Sequence, residues 1–135
     1  MTTAGFPSLL LVDDDDNLRM LFSTALEGAG FNVVGEANQG DIGLEKYLAL
    51  KPDLTLLDIE MPVMDGIRTL KAILGRNDNA VVVMLTSIQQ SAIWDDCLLA
   101  GAKAYIRKDA PLADLPARVM EVWQENRPVE IGGKG

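Results

Sequence analysis

Leu9-Leu10-Leu11-Val12-Asp13-Asp14-Asp15-Asp16 sets four aliphatic side chains directly against four carboxylates. An apolar run of this length, bounded by turn-forming residues, reads as a strand covered on both faces. Like charges stacked at its C-terminal end cost electrostatic free energy unless a cation offsets them. The pattern recurs along the chain. Leu54-Thr55-Leu56-Leu57 runs into Asp58, Ala80 to Leu85 into Thr86-Ser87, and Ala104-Tyr105-Ile106 into Arg107-Lys108. Carboxylates, two hydroxyls and a lysine thus fall where strands end. In an open parallel sheet that edge is where ligands bind.

Helical patterns fill the intervals. Leu18, Leu21, Phe22, Ala25 and Leu26 recur at helical spacing, with Gly28 and Gly30 as the stop. Phe31 to Val34 reads as a second strand, and Leu44, Tyr47 and Leu48 as a second helix halted by Pro52. After the loop 60–66, Ile67, Leu70 and Leu74 mark a third helix. Ser87 with Gln90 resembles a capping box for a fourth, which carries Ile93, Cys97 and Ala100 and ends at Gly101. Lys103 to Ile106 is the fifth strand. Pro111 suits the first turn of a fifth helix bearing Leu112, Leu115, Val119 and Val122. Five βα units imply an α/β fold, a doubly wound parallel sheet with helices on both faces.

The totals narrow the function. A chain of 135 residues with 48% hydrophobic content suits one domain with a real core. A net charge of −8 opposes non-specific binding to nucleic acid. The absence of histidine excludes a histidine-based triad, a histidine-ligated zinc site and a phosphohistidine carrier. Cys97, the single cysteine, can form no intrachain disulfide and reads as a small core residue. No secretory signal or membrane span is expected, so a cytoplasmic location is. The polar, glycine-rich stretch 127–135 is expected to be a disordered tail following a domain over 1–126.

Asp13, Asp14 and Asp58 converge if strands one and three are neighbours. A hard divalent cation relieves their repulsion, and magnesium suits a few carboxylates plus water and a phosphate oxygen. Lys108 adds a point charge for a carboxylate or phosphoryl group, and Thr86 and Ser87 add donors to phosphoryl oxygens. Asp15 or Asp16 reads as the cap of the first helix. Trp94 and Trp123 read as packing or partner-surface residues, and Met61 and Met64 as loop packing.

Over residues 8–125 the sequence resembles the receiver domain of two-component response regulators, of the chemotaxis-regulator type. The resemblance rests on Leu-Leu-Val-Asp-Asp-Asp (10–15), Pro-Asp-Leu-Thr-Leu-Leu-Asp-Ile-Glu-Met-Pro-Val-Met-Asp-Gly (52–66), Val-Met-Leu-Thr-Ser (83–87) and Gly-Ala-Lys-Ala-Tyr-Ile-Arg-Lys (101–108). It implies a flavodoxin-like fold with strand order 2-1-3-4-5. It also implies roles. Asp58 is the phosphoacceptor, and Asp13, Asp14, Asp58 and the backbone carbonyl of Glu60 hold Mg2+ or Mn2+. Lys108, Thr86 and Ser87 neutralise the phosphoryl group. Thr86 and Tyr105 act as the switch, on a face formed by helix four, strand five and helix five. The implied partners are a sensor histidine kinase or phosphotransfer protein and a downstream protein, with no direct nucleic-acid or membrane binding. Self-phosphorylation and autodephosphorylation are implied rather than enzymatic turnover.

Two departures stand out. The family commonly has proline after the lysine, often with a cis bond. Asp109 is here, so a trans bond is expected. Glu60 and Ile88 occupy positions that, in the family it resembles, tune the lifetime of the phosphorylated state. Three rival readings remain open at this point. An aspartyl-phosphate phosphohydrolase would need Thr or Val where Asn17 stands. A calcium loop from Asp13, Asp15 and Asn17 lacks its glycine and glutamate, Leu18 and Thr24 standing instead. A phosphorylation-independent docking module would leave the acid, hydroxyl and lysine set unused. The short tail also fits a chain from which an output domain was removed.

Overall fold

The computed structural model describes residues 5–87 and 91–127. In chain order the elements are β1 Ser8–Val12, α1 Asp16–Ala29, β2 Asn32–Ala37, α2 Gly40–Leu50, β3 Leu54–Asp58, α3 Gly66–Arg76, β4 Val81–Thr86, α4 Ser91–Ala100, β5 Ala104–Arg107 and α5 Leu115–Asn126. A short 3-10 turn, Leu112–Asp114, leads into α5. The strands form one parallel sheet in the order β2-β1-β3-β4-β5, as the resemblance implies.

Successive strand side chains point to opposite faces, and both faces are buried. Leu9, Leu11, Leu54, Leu56, Val83 and Leu85 pack with Phe22 and Leu26 of α1 and Val119 and Val122 of α5. Leu10, Val12, Leu57, Val82 and Met84 pack on the other side with Leu70 and Ile73 of α3 and Cys97 of α4. The near-continuous aliphatic runs are what a sheet covered twice requires. Cys97 is a buried core residue, and burial, with Asp96 and Asp65 adding, pushes its thiol up from the ordinary value.

The helix starts follow local chemistry. Asp15, not Asp16, caps α1, its Oδ1 accepting from the backbone N–H groups of Asn17 at 3.0 Å and Leu18 at 3.1 Å. Asp65 caps α3 through Arg68 N at 2.9 Å. Gly30, with φ of 117°, closes α1 in the left-handed region, whereas Gly28 lies inside the helix.

Several expected boundaries move. β2 extends to Ala37 because β1 supplies backbone partners, Leu10 to Gly35, Leu11 to Glu36 and Val12 to Ala37, where the apolar pattern has already stopped. β5 is displaced by one residue from Lys103–Ile106, since Arg107 pairs in register with Thr86. Pro111 does not start α5. It precedes the 3-10 turn, and Pro116 occupies the first turn instead. Gln90 and Ile88 lie outside the described residues, as do residues 128–135, so the Ser87–Gln90 capping box and the tail have no structural account here.

Candidate functional site

β1 and β3 are adjacent and in register, with Val12 opposite Leu57. Asp13 and Asp58 therefore leave the sheet side by side. Carboxylate oxygens of Asp13, Asp14 and Asp58 lie within 4.8 Å of one another. Asp13 is fully buried and Asp58 is 3% exposed, whereas Asp14 is exposed. Burying two carboxylates together is unfavourable unless they are paired. Lys108, at the end of β5, supplies the pairing: its Nζ stands 2.9 Å from Asp13 Oδ2 and 3.0 Å from Asp58 Oδ1. Asp13 Oδ2 has that ammonium as an ion-pair neighbour but no aligned hydrogen bond, and Asp58 Oδ2 is buried with no hydrogen-bond partner at all.

One ammonium against two buried carboxylates leaves the site short of positive charge. Burial is the largest influence on Asp58, and with Asp13 it outweighs the pull of Lys108, so the Asp58 carboxyl is pushed up to about 7. Burial opposes the charge on Lys108 too, but its ion pairs with Asp13 and Asp58 prevail and raise its pKa. A buried orphan oxygen and a cluster of hard oxygen donors fit a divalent cation that takes few protein ligands.

The backbone holds these groups in place. Asp13 Oδ1 accepts from Asp15 N at 2.9 Å, and Asp13 N donates to Ala37 O at 3.0 Å. Arg19 closes the loop from the α1 side. Its Nη1 donates to the Asp13 carbonyl at 2.7 Å, while Nε donates to Glu36 at 3.1 Å and Nη2 to Asp16 at 2.7 Å. Lys108 N donates to the carbonyl of Thr86 at 2.8 Å, which fixes the lysine against β4. Gly66 permits the tight return after β3: a Cβ there would sit 2.1 Å from the Asp58 carbonyl oxygen.

Asp14, Asp58, Glu60, Ser87, Lys108 and Asp109 line a cleft of about 410 Å³ at the C-terminal edge of the sheet. Glu60 and Ser87 are exposed at its border. Thr86 is fully buried below them. Tyr105 stands apart, half-buried on the α4 side, with its ring stacked on Trp94 at 4.6 Å between centroids. No cis bond occurs among the described residues, so Lys108–Asp109 is trans as expected. Neither Arg19 nor the Trp94–Tyr105 stack follows from the pattern of strand ends. Arg19 had one available signal, its placement three residues after Asp16 on a helix.

The sequence profile of the response regulator receiver domain matches residues 9–120. The chain belongs to that family. This receiver domain is 38% identical over 113 residues to the chemotaxis protein CheY of Thermotoga maritima, covering 84% of this chain and 91% of that one. It is 41% identical over 100 residues to CheY of Bacillus subtilis, covering 74% and 83% respectively. Among solved structures, the receiver fold superposes on CheY in the CheX–CheY–BeF3–Mg complex of Borrelia burgdorferi with a TM-score of 0.82, at 34% identity and 86% and 88% coverage. A CheY-like receiver domain of Methanospirillum hungatei gives 0.82 at 29% identity, covering 90% and 96%. The acidic cluster thus sits in a two-component signalling receiver, and no described helix is long and apolar enough to cross a membrane.

Proposed function

We propose that Asp58 is the phosphoacceptor of this receiver, and that a sensor histidine kinase or phosphotransfer protein is its donor. The observation that carries this reading is the asymmetry of Asp58: Oδ1 is held by Lys108, while Oδ2 is buried and without a hydrogen-bond partner. An oxygen of Asp58 forms the new bond to phosphorus as the donor's phosphorus–nitrogen bond breaks, and the imidazole departs with a proton. Lys108 orients the attacking carboxylate and then faces a phosphoryl oxygen. Ser87, at the cleft border, offers a donor to the same group, and Thr86 responds from below.

Asp13, Asp14, Asp58 and the Glu60 carbonyl would hold Mg2+ or Mn2+. The ion supplies positive charge against which carboxylate and phosphoryl oxygens approach each other. Asp58 must be ionised to attack, and a carboxyl pushed up to about 7 is half protonated near neutrality until more positive charge arrives. Cation dependence follows from that shortage.

The output in this reading is a protein contact, altered through Thr86 and Tyr105 on the α4–β5–α5 face. Autophosphorylation by small phosphodonors and autodephosphorylation belong to the same proposal, as does a cytoplasmic location. The calcium-loop reading loses Asp15, whose Oδ1 caps α1. The test is intact mass after incubation with acetyl phosphate, with and without Mg2+, on wild type and Asp58→Asn. One Mg2+-dependent phosphoryl adduct, absent in Asp58→Asn, is expected. No adduct under any condition would leave a docking module, and steady release of phosphate at high turnover would favour a phosphohydrolase.

A further inference from the structure

Lys108 is flanked by two charged residues that pair with each other. The Arg107 guanidinium donates to Asp109 twice, Nε to Oδ1 at 2.9 Å and Nη2 to Oδ2 at 2.5 Å. A fork of this kind fixes the plane of the guanidinium as well as its position. The fork also touches two regions at once. Asp109 lines the acidic cleft. Arg107 lies 6.0 Å over the ring of Trp94, and Trp94 is stacked on Tyr105 with 23° between the rings. Asp109, Arg107, Trp94 and Tyr105 therefore form a continuous ladder from the cleft to the aromatic residue read as the switch.

We propose that Asp109, Arg107 and Trp94 are positioning residues that hold Tyr105 in its resting place, so that the switch of this chain is a two-ring unit rather than a lone tyrosine. This rests on the phosphoacceptor reading. The physical case is one of differential contacts. Tyr105 cannot swing toward Thr86 and keep its face on Trp94, because the stack needs the rings parallel and in contact. Trp94 in turn cannot follow without leaving the guanidinium 6.0 Å above it. Contacts made in only one of two states bias the equilibrium toward that state. By reciprocity they weaken binding of whatever favours the other state.

Charge alone predicts a different outcome, and the sign separates the two. If Arg107 and Asp109 acted only through their fields in the cleft, Arg107→Gln would weaken binding of an anionic phosphoryl analogue and Asp109→Asn would tighten it. The ladder predicts that both tighten it, and that the uncharged change Trp94→Leu does so too. Beryllofluoride titrated in the presence of Mg2+ reads this directly. Each variant is expected to bind it about two- to tenfold more tightly than wild type, the range that one aromatic or cation–π contact supports. Mg2+ affinity without beryllofluoride is expected to move only with the field of the removed charge, up in Arg107→Gln, down in Asp109→Asn and unchanged in Trp94→Leu. Opposite signs of the beryllofluoride change for Arg107→Gln and Asp109→Asn, or no change in either, would overturn the ladder.

A second readout does not need phosphoryl chemistry. In a Trp123→Phe background the remaining emission comes from Trp94. Both Arg107→Gln and Asp109→Asn are expected to shift it to the red and to raise its quenching by acrylamide, because the ring loses cover. An unmoved spectrum in both variants would end the proposal even if beryllofluoride binds. Failure of wild type to bind beryllofluoride with Mg2+ would instead count against the phosphoacceptor reading, and the spectra would then decide the ladder alone.

Discussion

The acidic end of β1 and β3 and the β5–α4 face lie on either side of Lys108, yet they are held by different physics. Asp13 and Asp58 are buried, Lys108 is nearly so, and every one of their charges has a neighbour within about 3 Å. Trp94, Tyr105, Arg107 and Asp109 are half-buried or exposed, and their contacts are stacking and a surface ion pair. Charges buried in low dielectric interact strongly, whereas exposed pairs are screened and contribute little to stability. The first region is therefore suited to deciding whether a phosphoryl group binds. The second is suited to moving in response, because little free energy holds it.

Lys108→Met breaks the buried region most severely. It strips two carboxylates of their partner, and uncompensated buried charges cost about 3–5 kcal/mol. Urea unfolding at pH 8 is expected to show a loss of that order, smaller at pH 5, where Asp58 can take up a proton. A loss under about 1 kcal/mol at pH 8 would mean the lysine is not needed to pair these carboxylates.

The pH dependence sharpens the contrast. The unfolded Asp58 carboxyl ionises near the ordinary value of 3.8, while the folded one ionises near 7. Between those values the folded state binds more protons, so stability falls as pH rises across that window and levels off above it. At about 1.4 kcal/mol per pH unit, the full loss is at most about 4 kcal/mol. Without divalent cation, Asp58→Asn is expected to remove this slope and to be the more stable protein at pH 8. Mg2+ should flatten the wild-type curve. Equal slopes for wild type and Asp58→Asn would contradict the assignment.

Arg19→Gln probes how the acidic loop is held. Field effects alone would strengthen Mg2+ binding once a positive charge is removed. Loss of the bond to the Asp13 carbonyl would weaken it by letting the loop drift. A fluorescence titration is expected to show several-fold weaker Mg2+ binding, with Arg19→Lys recovering part of it. Tighter binding in Arg19→Gln would remove the positioning role.

The smallest effect is predicted at Val63. This β-branched residue has φ of 69°, is 72% exposed, and is the centre of a turn in which Met64 N donates to Pro62 O at 2.7 Å. A positive-φ turn of this kind is strained for any residue with a branched Cβ. Val63→Gly is expected to stabilise the fold by about 1 kcal/mol and to leave phosphorylation unchanged. A destabilised variant would show that the exposed isopropyl group has a packing role.

Much of the fold was legible because the central strands are aliphatic runs ending in chemistry-bearing residues. Leu9–Val12, Leu54–Leu57 and Ala80–Leu85 are buried throughout and lie within one or two residues of the observed strand limits. β2 was less legible because it is an edge strand. Gly35 and Glu36 carry no apolar signal, and only pairing with β1 makes them a strand. The start of α5 is hard to read because two prolines, Pro111 and Pro116, both suit a first turn, and the buried Leu115 stands beside the second. At the site, Asp13, Asp58 and Lys108 could be identified from their strand ends. The bonds of Arg19 to the Asp13 carbonyl and Glu36, and the Arg107–Asp109 fork, could not, because spacing along a helix or strand does not specify those partners.

Asp58 is buried beside Asp13 with too little positive charge from Lys108 alone. Carboxyl carbon-13 NMR of Asp58 across a pH titration, with and without Mg2+, tests it directly. Without the cation a midpoint near 7 is expected, and with saturating Mg2+ a fall well below that. A midpoint in the ordinary carboxylate range near 4 without cation, or one that Mg2+ does not move, would contradict it.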